Sequence, residues 1–413
     1  MGNCSFRADA LDQIENTTMS KNNFTFHYVI GRGGFGKVWR VEKKKTGQLY
    51  AMKEMSKARI ITKRSVNSVM NERKLLAQLK HPFLINMNYA FQDREDLYLI
   101  CDLLTGGDLR FHIGKKKRFN EEQTKFMIAC MIVGLEYMHN NGVIHRDIKP
   151  ENVVMESNGY VRITDLGIAR IWTPENSQDT SGTPGYMAPE VMCRQNHCCA
   201  VDYFALGVIG FEFMLGKTLS LQNKSKLRNM KYLMAGALKQ LISLIRQINH
   251  LSIIKCLQRK PANRLGLNGP NEVKQHVWMK DYNWQALLDK KLPAPYVPEQ
   301  GDDNFDAKQA NGNDPWKEEN AELLRQNSLL LRRNSIQNLF SGYYYDVDLL
   351  RQQKEEERRQ NLANAGGNQA ANGPKSSGLS LLPEKALKPI KNNSKAASTA
   401  SSSFVNTPTA KIQ

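Results

Sequence analysis

The sequence predicts an α+β chain of two lobes, a small strand-rich lobe followed by a larger helical one. In the first third of the 413 residues, Val, Ile, Tyr, Phe and Trp cluster in short runs separated by glycines, which is typical of strands. Helical spacing of apolar residues dominates the next part, up to Trp278. Strands followed by helices in this way favour an α+β fold.

The individual elements follow from the same patterns. After a polar leader over residues 1–23, strands are expected at 26–31, 37–43, 49–55 and 97–103, with a helix at 64–79 between the last two. Helices are expected at 124–140 and 201–215. We therefore assign residues 24–105 to the first lobe and 106–278 to the second.

The remaining part of the chain differs in composition. Residues 279–345 form a tail, and residues 346–413 begin charge-dense and end in sequence rich in Asn, Ala, Ser and Gly. Such sequence buries too little apolar surface to offset its ordering entropy, so a disordered end is expected.

Charge and composition exclude several classes of protein. The net charge of +18 favours anionic partners, but the basic clusters at 43–45 and 115–118 lack interleaved aromatics, which predicts solvated surface and no nucleic-acid partner. Mean hydropathy of −0.52 and no apolar run of about 18 residues exclude a predicted membrane-spanning helix. Seven unevenly spaced cysteines argue against a disulfide scaffold and favour a reducing, cytoplasmic compartment.

A glycine-rich turn, Gly-Arg-Gly-Gly-Phe-Gly at residues 31–36, lies between two predicted strands. Glycines there let main-chain amides approach phosphate oxygens, although a simple hairpin turn has the same pattern. Strands on both sides argue against a dinucleotide-binding fold, in which such a turn opens a helix. On the third strand, Lys53 has apolar neighbours, and Glu72 follows on the next helix. An ion pair between them would hold the ammonium against the phosphates of a nucleotide.

The most specific motif is His-Arg-Asp-Ile-Lys-Pro-Glu-Asn at residues 145–152, which matches a phosphotransferase catalytic loop with Ile148 in place of Leu. Asp147 can accept the proton of an attacking hydroxyl, and Asn152 can reach a metal ion from the same loop. Asp165, in Asp-Leu-Gly, would supply the second metal contact. Further on, Gly-Thr-Pro-Gly-Tyr-Met-Ala-Pro-Glu at 182–190 ends in Glu190, for which Arg264 is the expected buried partner.

In order and spacing, these motifs resemble those of eukaryotic protein kinases over residues 24–278, which implies a bilobal kinase fold. Within that family the chain resembles the AGC group, and most closely its YANK-type members, through His-Pro-Phe-Leu at 81–84, Phe-Gln-Asp at 91–93 and Asp-Leu-Leu-Thr-Gly-Gly-Asp-Leu-Arg at 102–110. Residues 279–345 then resemble the AGC tail, with Asn-Phe-Asp at 304–306 as the segment that folds back over the nucleotide cleft.

The resemblance implies serine/threonine kinase activity with ATP and Mg²⁺, in which Asp147, Lys149, Lys53, Glu72 and Thr183 are catalytic and Asn152 and Asp165 hold the metal. Lys149 is the residue that favours Ser/Thr over Tyr acceptors. The nucleotide contacts it implies are Ile30, Gly31, Arg32, Gly33, Gly34, Phe35, Gly36, Lys37, Val38, Ala51, Lys53, Cys101, Asp102 and Leu104. Cys101 would stand at the gatekeeper position behind the adenine.

Substrate selection also follows from the resemblance. Basophilic AGC kinases bind arginines upstream of the acceptor through acids at the positions of Asp108, Glu151 and Glu212, although solvated carboxylates are the alternative. The segment Leu-Arg-Arg-Asn-Ser-Ile at 331–336 resembles a substrate of such kinases, which predicts autophosphorylation at Ser335. The expected partners are therefore proteins with basic motifs.

Two further features concern regulation and location. Where many AGC kinases carry a phosphorylated Thr, this chain has Asp179, which would place a permanent charge towards Arg146, with Thr180 as an additional phosphosite. At the N-terminus, myristoylation of Gly2 and palmitoylation of Cys4 would anchor the chain to a membrane surface, although Phe6 departs from the usual pattern. A monomer is expected.

The family pattern weakens between Gly216 and Ile254, where an insert, a docking helix or an error in the gene model are equally open explanations. If this region disrupts the enzyme, the chain would be a pseudokinase or a membrane-tethered scaffold that binds nucleotide without turnover. Retention of Lys53, Glu72, Asp147, Asn152 and Asp165 favours the active enzyme.

Overall fold

The first lobe is built on a six-stranded antiparallel sheet with the strand order β1-β2-β3-β5-β4-β10. The computed structural model describes residues 18–216, 251–299, 304 and 320–367. The strands are β1 (Phe24–Arg32), β2 (Gly36–Lys43), β3 (Gln48–Ser56), β4 (Met87–Gln92), β5 (Asp96–Asp102) and β10 (Tyr345–Asp346). Helices α1 (Lys57–Thr62) and α2 (Val66–Gln78) follow β3. The predicted α+β class is confirmed, although β4, β10 and α1 were not predicted.

The strand register brings the predicted nucleotide contacts together. Val38 on β2 pairs with Lys53 on β3, and Ala51 on β3 pairs with Cys101 on β5. Gly36 begins β2 so close to β3 that an added Cβ would lie 2.0 Å from the carbonyl oxygen of Glu54. Only glycine permits this approach, and it fixes the glycine-rich turn above the sheet.

The second lobe is helical, with two small sheets that carry the loops of the cleft. Its helices are α3 (Leu109–Lys116), α4 (Glu121–Asn140), α5 (Pro189–Met192), α6 (Ala200–Leu215), α7 (Leu251–Cys256), α8 (Pro270–Lys274) and α9 (Trp284–Leu288). Strand β6 (Val143–Ile144) pairs with β9 (Arg170–Ile171), and β7 (Val153–Met155) with β8 (Val161–Ile163). Asn120 and Gln123 cap α4 reciprocally, and both α4 and α6 are buried over most of their length. These two helices form the support beneath the catalytic loop.

The tail returns to the first lobe and completes its sheet. Helices α10 (Ala321–Leu330) and α11 (Asn334–Gln337) precede a 3₁₀ turn, Asn338–Phe340, and then β10, which pairs with β4. Phe340 in this turn and Tyr343 just before β10 are fully buried. Lys57 holds the tail with a 2.7 Å hydrogen bond to Gln337 and lies 5.2 Å from the ring centre of Phe340. Neither the strand β10 nor these contacts of Lys57 were predicted from sequence patterns.

The charge-dense segment that begins at residue 346 forms helix α12, which spans Val347–Gly367 and so includes residues 361–367 of the end that was predicted to be disordered. The Asp346 side chain accepts the main-chain amide of Asp348 at 2.9 Å, which starts the helix. Further along, Arg359 and Glu355 form an i,i+4 ion pair at 3.0 Å. The predicted disorder over 368–413, the acylation sites Gly2 and Cys4, and residues 217–250 of the atypical region lie outside the described residues. Within the described ranges, no helix is long and apolar enough to cross a membrane.

The start of α12 also corrects the expectation that Lys43 is solvated. The side chain of Lys43 is largely buried, and its ammonium donates to Tyr89 at 2.8 Å and pairs with Asp348 at 2.9 Å. Because these partners are far apart in the sequence, the basic run gave no indication of them.

Candidate active site

The predicted ion pair between Lys53 and Glu72 is present at the back of the cleft. Lys53 Nζ lies 2.8 Å and 3.1 Å from the two carboxylate oxygens of Glu72, which is buried on α2. Burial disfavours the ammonium, but Glu72 and Asp165 together raise the pKa of Lys53 above its ordinary value. The lysine is therefore a fixed cation at the point where the two lobes meet.

The glycine-rich turn connects β1 and β2, as predicted. Ile30, Gly31 and Arg32 end β1, Lys37 and Val38 lie on β2, and Gly33, Gly34 and Phe35 form the tip. The tip is closed by the hydrogen bond from the amide of Gly33 to the carbonyl oxygen of Gly36 at 2.9 Å. Lys63, which directly follows α1, donates to the carbonyl oxygen of Gly34 at 2.8 Å.

The residues expected at the adenine lie on β3, β5 and the segment after β5. Cys101 is buried, which raises the pKa of its thiol to about 12 and keeps it neutral. The Asp102 carboxylate is bound to Arg162 at 2.8 Å, which joins the two lobes. A nucleotide contact by Asp102 would therefore come from its main chain. Leu104 follows it and is partly exposed.

Three predicted residues contact the carboxylate of Asp147 on the catalytic loop. Asp147 Oδ1 accepts from the Thr183 hydroxyl at 2.6 Å, and Oδ2 accepts from Lys149 at 2.7 Å and from the Asn152 amide at 3.1 Å. Lys149 also donates to Thr183 at 3.0 Å. Gly182 makes this possible, since its φ of +128° and its approach to the carbonyl oxygen of Arg146 exclude a side chain. The structure thus brings Asp147, Lys149, Asn152 and Thr183 together at a single point.

Asp202, which the sequence analysis missed, supports this loop from α6. Its buried carboxylate accepts the main-chain amides of His145 at 3.0 Å and Arg146 at 2.8 Å, and it contacts His139 at 2.8 Å. Burial opposes its ionisation, but His139 and His145 lower the pKa of Asp202 below its usual value. The available signal was an acid near the start of a helix that is otherwise apolar except for Glu212.

Asp165 and Asn152 provide oxygen donors for a divalent cation. Asp165 has a φ of +59°, and its side chain accepts the amide of Gly167 at 3.1 Å. The charge of Lys53 lowers the pKa of Asp165, so the carboxylate is ionised. The Asn152 amide nitrogen donates to Asp147, so its oxygen is the atom suited to a cation. These hard oxygen donors fit Mg²⁺ carried by a nucleotide. Leu166, between Asp165 and Gly167, is buried.

Two further predicted ion pairs are present. Asp179 lies 3.1 Å from Arg146, and neighbouring Thr180 is exposed. Arg264 and Glu190 form a bidentate pair, one contact of which is 2.8 Å, and both are buried. They fix the two ends of the segment that carries Thr183.

The three acids expected to bind substrate arginines have partners within the chain. Asp108 caps α3 by accepting the amide of Phe111 at 2.8 Å. Arg110 binds Glu151 at 2.8 Å and Glu212 at 2.6 Å. Glu151 and Glu212 thus bind an arginine of the chain itself, while the binding of a substrate arginine by the three acids stays a prediction.

Comparisons with known proteins agree with this geometry. The protein kinase domain family matches residues 24–279. A probable serine/threonine-protein kinase of Dictyostelium discoideum is 35% identical over 283 residues, covering 68% of this chain and 62% of the relative. G protein-coupled receptor kinase 2 of Caenorhabditis elegans is 36% identical over 306 residues, covering 70% and 42% of the two chains. Ribosomal protein S6 kinase alpha-6 of Homo sapiens is 37% identical over 287 residues, covering 67% and 38%. The chain thus spans between 38% and 62% of the length of these relatives. It belongs to the protein kinase domain family.

Proposed function

We propose that the protein is an active serine/threonine protein kinase that transfers the γ-phosphate of ATP to Ser and Thr hydroxyls. The observation that carries this proposal is the network around Asp147, in which Lys149, Asn152 and Thr183 all contact one carboxylate. A carboxylate held in this way can orient a hydroxyl and accept its proton, which is the main task that phosphoryl transfer leaves to side chains.

The remaining residues take complementary roles. Bound Mg-ATP supplies the phosphoryl group and the metal charge that offsets its negative charge. Lys53, oriented by Glu72, binds phosphate oxygens, and the main-chain amides of residues 31–36 cover them. Asp165 and Asn152 would hold the metal, and Lys149 neutralises negative charge on the γ-phosphoryl group during transfer.

Finer features of this function are also part of the proposal. Within the family we assign the chain to the AGC group, near its YANK-type members, on the motifs at 81–84, 91–93 and 102–110. We propose substrates with Arg-containing basic motifs, supported by the acidic residues Asp108, Glu151 and Glu212 beside the catalytic loop. Ser335, exposed on α11 after two arginines, is the proposed autophosphorylation site. Mass spectrometry after incubation with ATP, compared with Asp147→Ala, tests that site.

We further propose a cytoplasmic monomer that reaches membrane surfaces through acylation of Gly2 and Cys4. Support comes from the Met-Gly-Asn-Cys sequence alone. A Gly2→Ala variant with an unchanged membrane-bound fraction would exclude acylation as the anchor.

A peptide of residues 329–340 offers a direct test of the activity, since Ser335 is its sole hydroxyl. With radiolabelled ATP and Mg²⁺, we expect label in the Ser335 peptide and its Ser335→Thr version, and none in the Ser335→Tyr and Ser335→Ala versions. Label in the Ser335→Tyr peptide would contradict the assignment. Nucleotide binding without any transfer would instead favour the pseudokinase alternative, against which the complete set of catalytic residues argues.

A further inference from the structure

Arg110, the second residue of α3, binds two carboxylates beside the catalytic loop. Asp108 caps this helix and so fixes the direction in which its first turn projects. The guanidinium of Arg110 reaches Glu151, which lies within the catalytic loop motif, and Glu212, which is buried on α6. It also contacts the hydroxyl of Tyr186, three residues after Thr183.

This arrangement uses both oxygens of the Glu212 carboxylate. Oε1 accepts from Arg110 at 2.6 Å, while Oε2 accepts from the Tyr186 hydroxyl at 2.7 Å and lies 3.3 Å from a second guanidinium nitrogen of Arg110. Burial disfavours the cation, but Glu212 and Glu151 raise the pKa of Arg110, which stays charged at every relevant pH. The two carboxylates therefore already hold the kind of group that they would hold in a basic substrate.

The position of the cluster links it to the acceptor. Glu151 precedes Asn152, which contacts Asp147, and Tyr186 follows Thr183, which also contacts Asp147. An arginine bound by Glu151 and Glu212 would thus lie beside the point where the hydroxyl reacts. Arg110 is 34% exposed and Glu151 43% exposed, so the cluster opens to solvent on that side, while Glu212 is only 2% exposed.

We propose that Arg110 is a specificity-determining residue that occupies a substrate-arginine subsite from within the chain and weakens the preference for arginine there. The inference rests on the proposed kinase function and narrows its substrate class: peptides with Arg-containing motifs remain substrates, but Glu151 and Glu212 contribute little to selecting them while Arg110 is in place. A substrate arginine must displace Arg110 or share its carboxylates, so its binding adds little to selectivity. Without Arg110, Glu212 would be a buried carboxylate lacking its cation, and a substrate arginine would satisfy it.

The test compares peptides within each enzyme variant, so that a general change in rate cancels. The peptides are the 329–340 sequence and its Arg332→Ala and Arg333→Ala versions. For the full chain, we expect kcat/KM to fall about threefold or less for each replacement, as for an exposed, already compensated contact. In the Arg110→Ala and Arg110→Gln enzymes, we expect kcat/KM to fall about tenfold or more for at least one of the two peptide replacements, as for the loss of a charge-assisted hydrogen bond.

Three controls make the outcome specific. Each control is judged by the ratio of kcat/KM for the 329–340 peptide to kcat/KM for its Arg→Ala versions. Arg110→Lys keeps the charge of the side chain and should keep this ratio small. Lys115→Ala removes an exposed cation from the same helix, paired with Glu299, and should leave the ratio unchanged. Adding Glu212→Gln to Arg110→Gln should return the ratio towards that of the unmodified chain, because the subsite then lacks its buried charge.

An unchanged ratio in Arg110→Ala and Arg110→Gln, or a tenfold ratio already present in the unmodified chain, would overturn the inference. Loss of all transfer in both neutral variants, with melting temperatures retained, would also overturn it, since Arg110 would then serve catalysis and not selection. If both neutral variants, Arg110→Ala and Arg110→Gln, unfold, Arg110→Lys provides the test. A ratio in this variant above that of the unmodified chain contradicts the inference. Failure of the unmodified chain to phosphorylate any peptide refutes the kinase proposal itself.

Discussion

The pair between Asp179 and Arg146 predicts that the segment of residues 179–190, which carries Thr183, is held by a permanent charge. Asp179→Asn keeps the shape of the side chain and removes the charge. Arg146 is 5% exposed and Asp179 is 46% exposed, with 3.1 Å between nitrogen and oxygen. In water, unit charges at this distance attract by about 1.3 kcal/mol, and exposed pairs measure about 0.2–1 kcal/mol.

Because half of Asp179 faces solvent, we take about 1 kcal/mol as the energy that orders the segment. If the ordered segment is needed for Thr183 to contact Asp147, this energy corresponds to about a fivefold loss of kcat/KM. The assay is transfer to the 329–340 peptide, with Asp179→Glu expected to restore most of the rate. Glu175→Gln is the matched control, since Glu175 lies on the same loop. Hydrogen bonds from its own backbone and from Thr173 lower the pKa of Glu175, so its interactions are local to that turn.

Salt provides a second readout of the same pair. Screening over a Debye length of about 10 Å at 0.1 M and about 3 Å at 1 M weakens exposed ion pairs. The difference between the unmodified chain and Asp179→Asn should therefore shrink as salt is raised. Equal activity of the two at low salt would refute the idea that Asp179 substitutes for a phosphate.

The buried ion pair of Arg264 and Glu190, the docked tail and the thiols can each be tested. Arg264→Met leaves the buried Glu190 without its cation and should lower the free energy of unfolding by about 3–5 kcal/mol, whereas Arg325→Met, at the exposed pair with Glu322, should lower it by less than about 1 kcal/mol. Similar denaturation midpoints for the two would contradict this. Phe340→Ala should cost about 3–5 kcal/mol of tail docking, seen as faster proteolysis within 320–346, while exposed Leu339→Ala should not; equal cleavage rates would exclude a docked tail. The hydrogen bond with Cys199 lowers the pKa of Cys198 below that of an ordinary thiol, so its thiolate fraction and its alkylation by iodoacetamide should already rise between pH 6 and pH 8. Burial raises the pKa of Cys130 and Cys256 to about 12, and these should stay unmodified; a Cys198 rate that is flat over this range would contradict the assignment.

Local patterns predicted much of the fold and most of the site. The catalytic loop, the glycine-rich turn and the helix with Glu72 depend on residues close in sequence, so their periodicity and spacing were visible. Strand β4 was missed because its run, Met87–Gln92, is short and contains Asn and Gln. The ion pairs of Lys53, Asp179 and Arg264 were predicted because each lies between motifs of fixed order.

The rest could not be predicted because its contacts join distant parts of the chain. The role of Arg110 depends on Glu212, 102 residues away, and Lys57 meets Gln337, 280 residues away. Helix α12 begins where Asp348 meets Lys43, 305 residues away. Because this partner is distant in the sequence, the local composition did not predict the helix. Charge or exposure in the sequence does not reveal such partners.

Simultaneous measurement of ADP and phosphopeptide, from the full chain with Mg-ATP and the 329–340 peptide, tests the central claim most directly. Transfer at the Asp147 site predicts one ADP for each phosphopeptide, with both products lost in Asp147→Ala and in Asp165→Ala. ADP formed without phosphopeptide, or transfer that persists in both variants, would contradict the account.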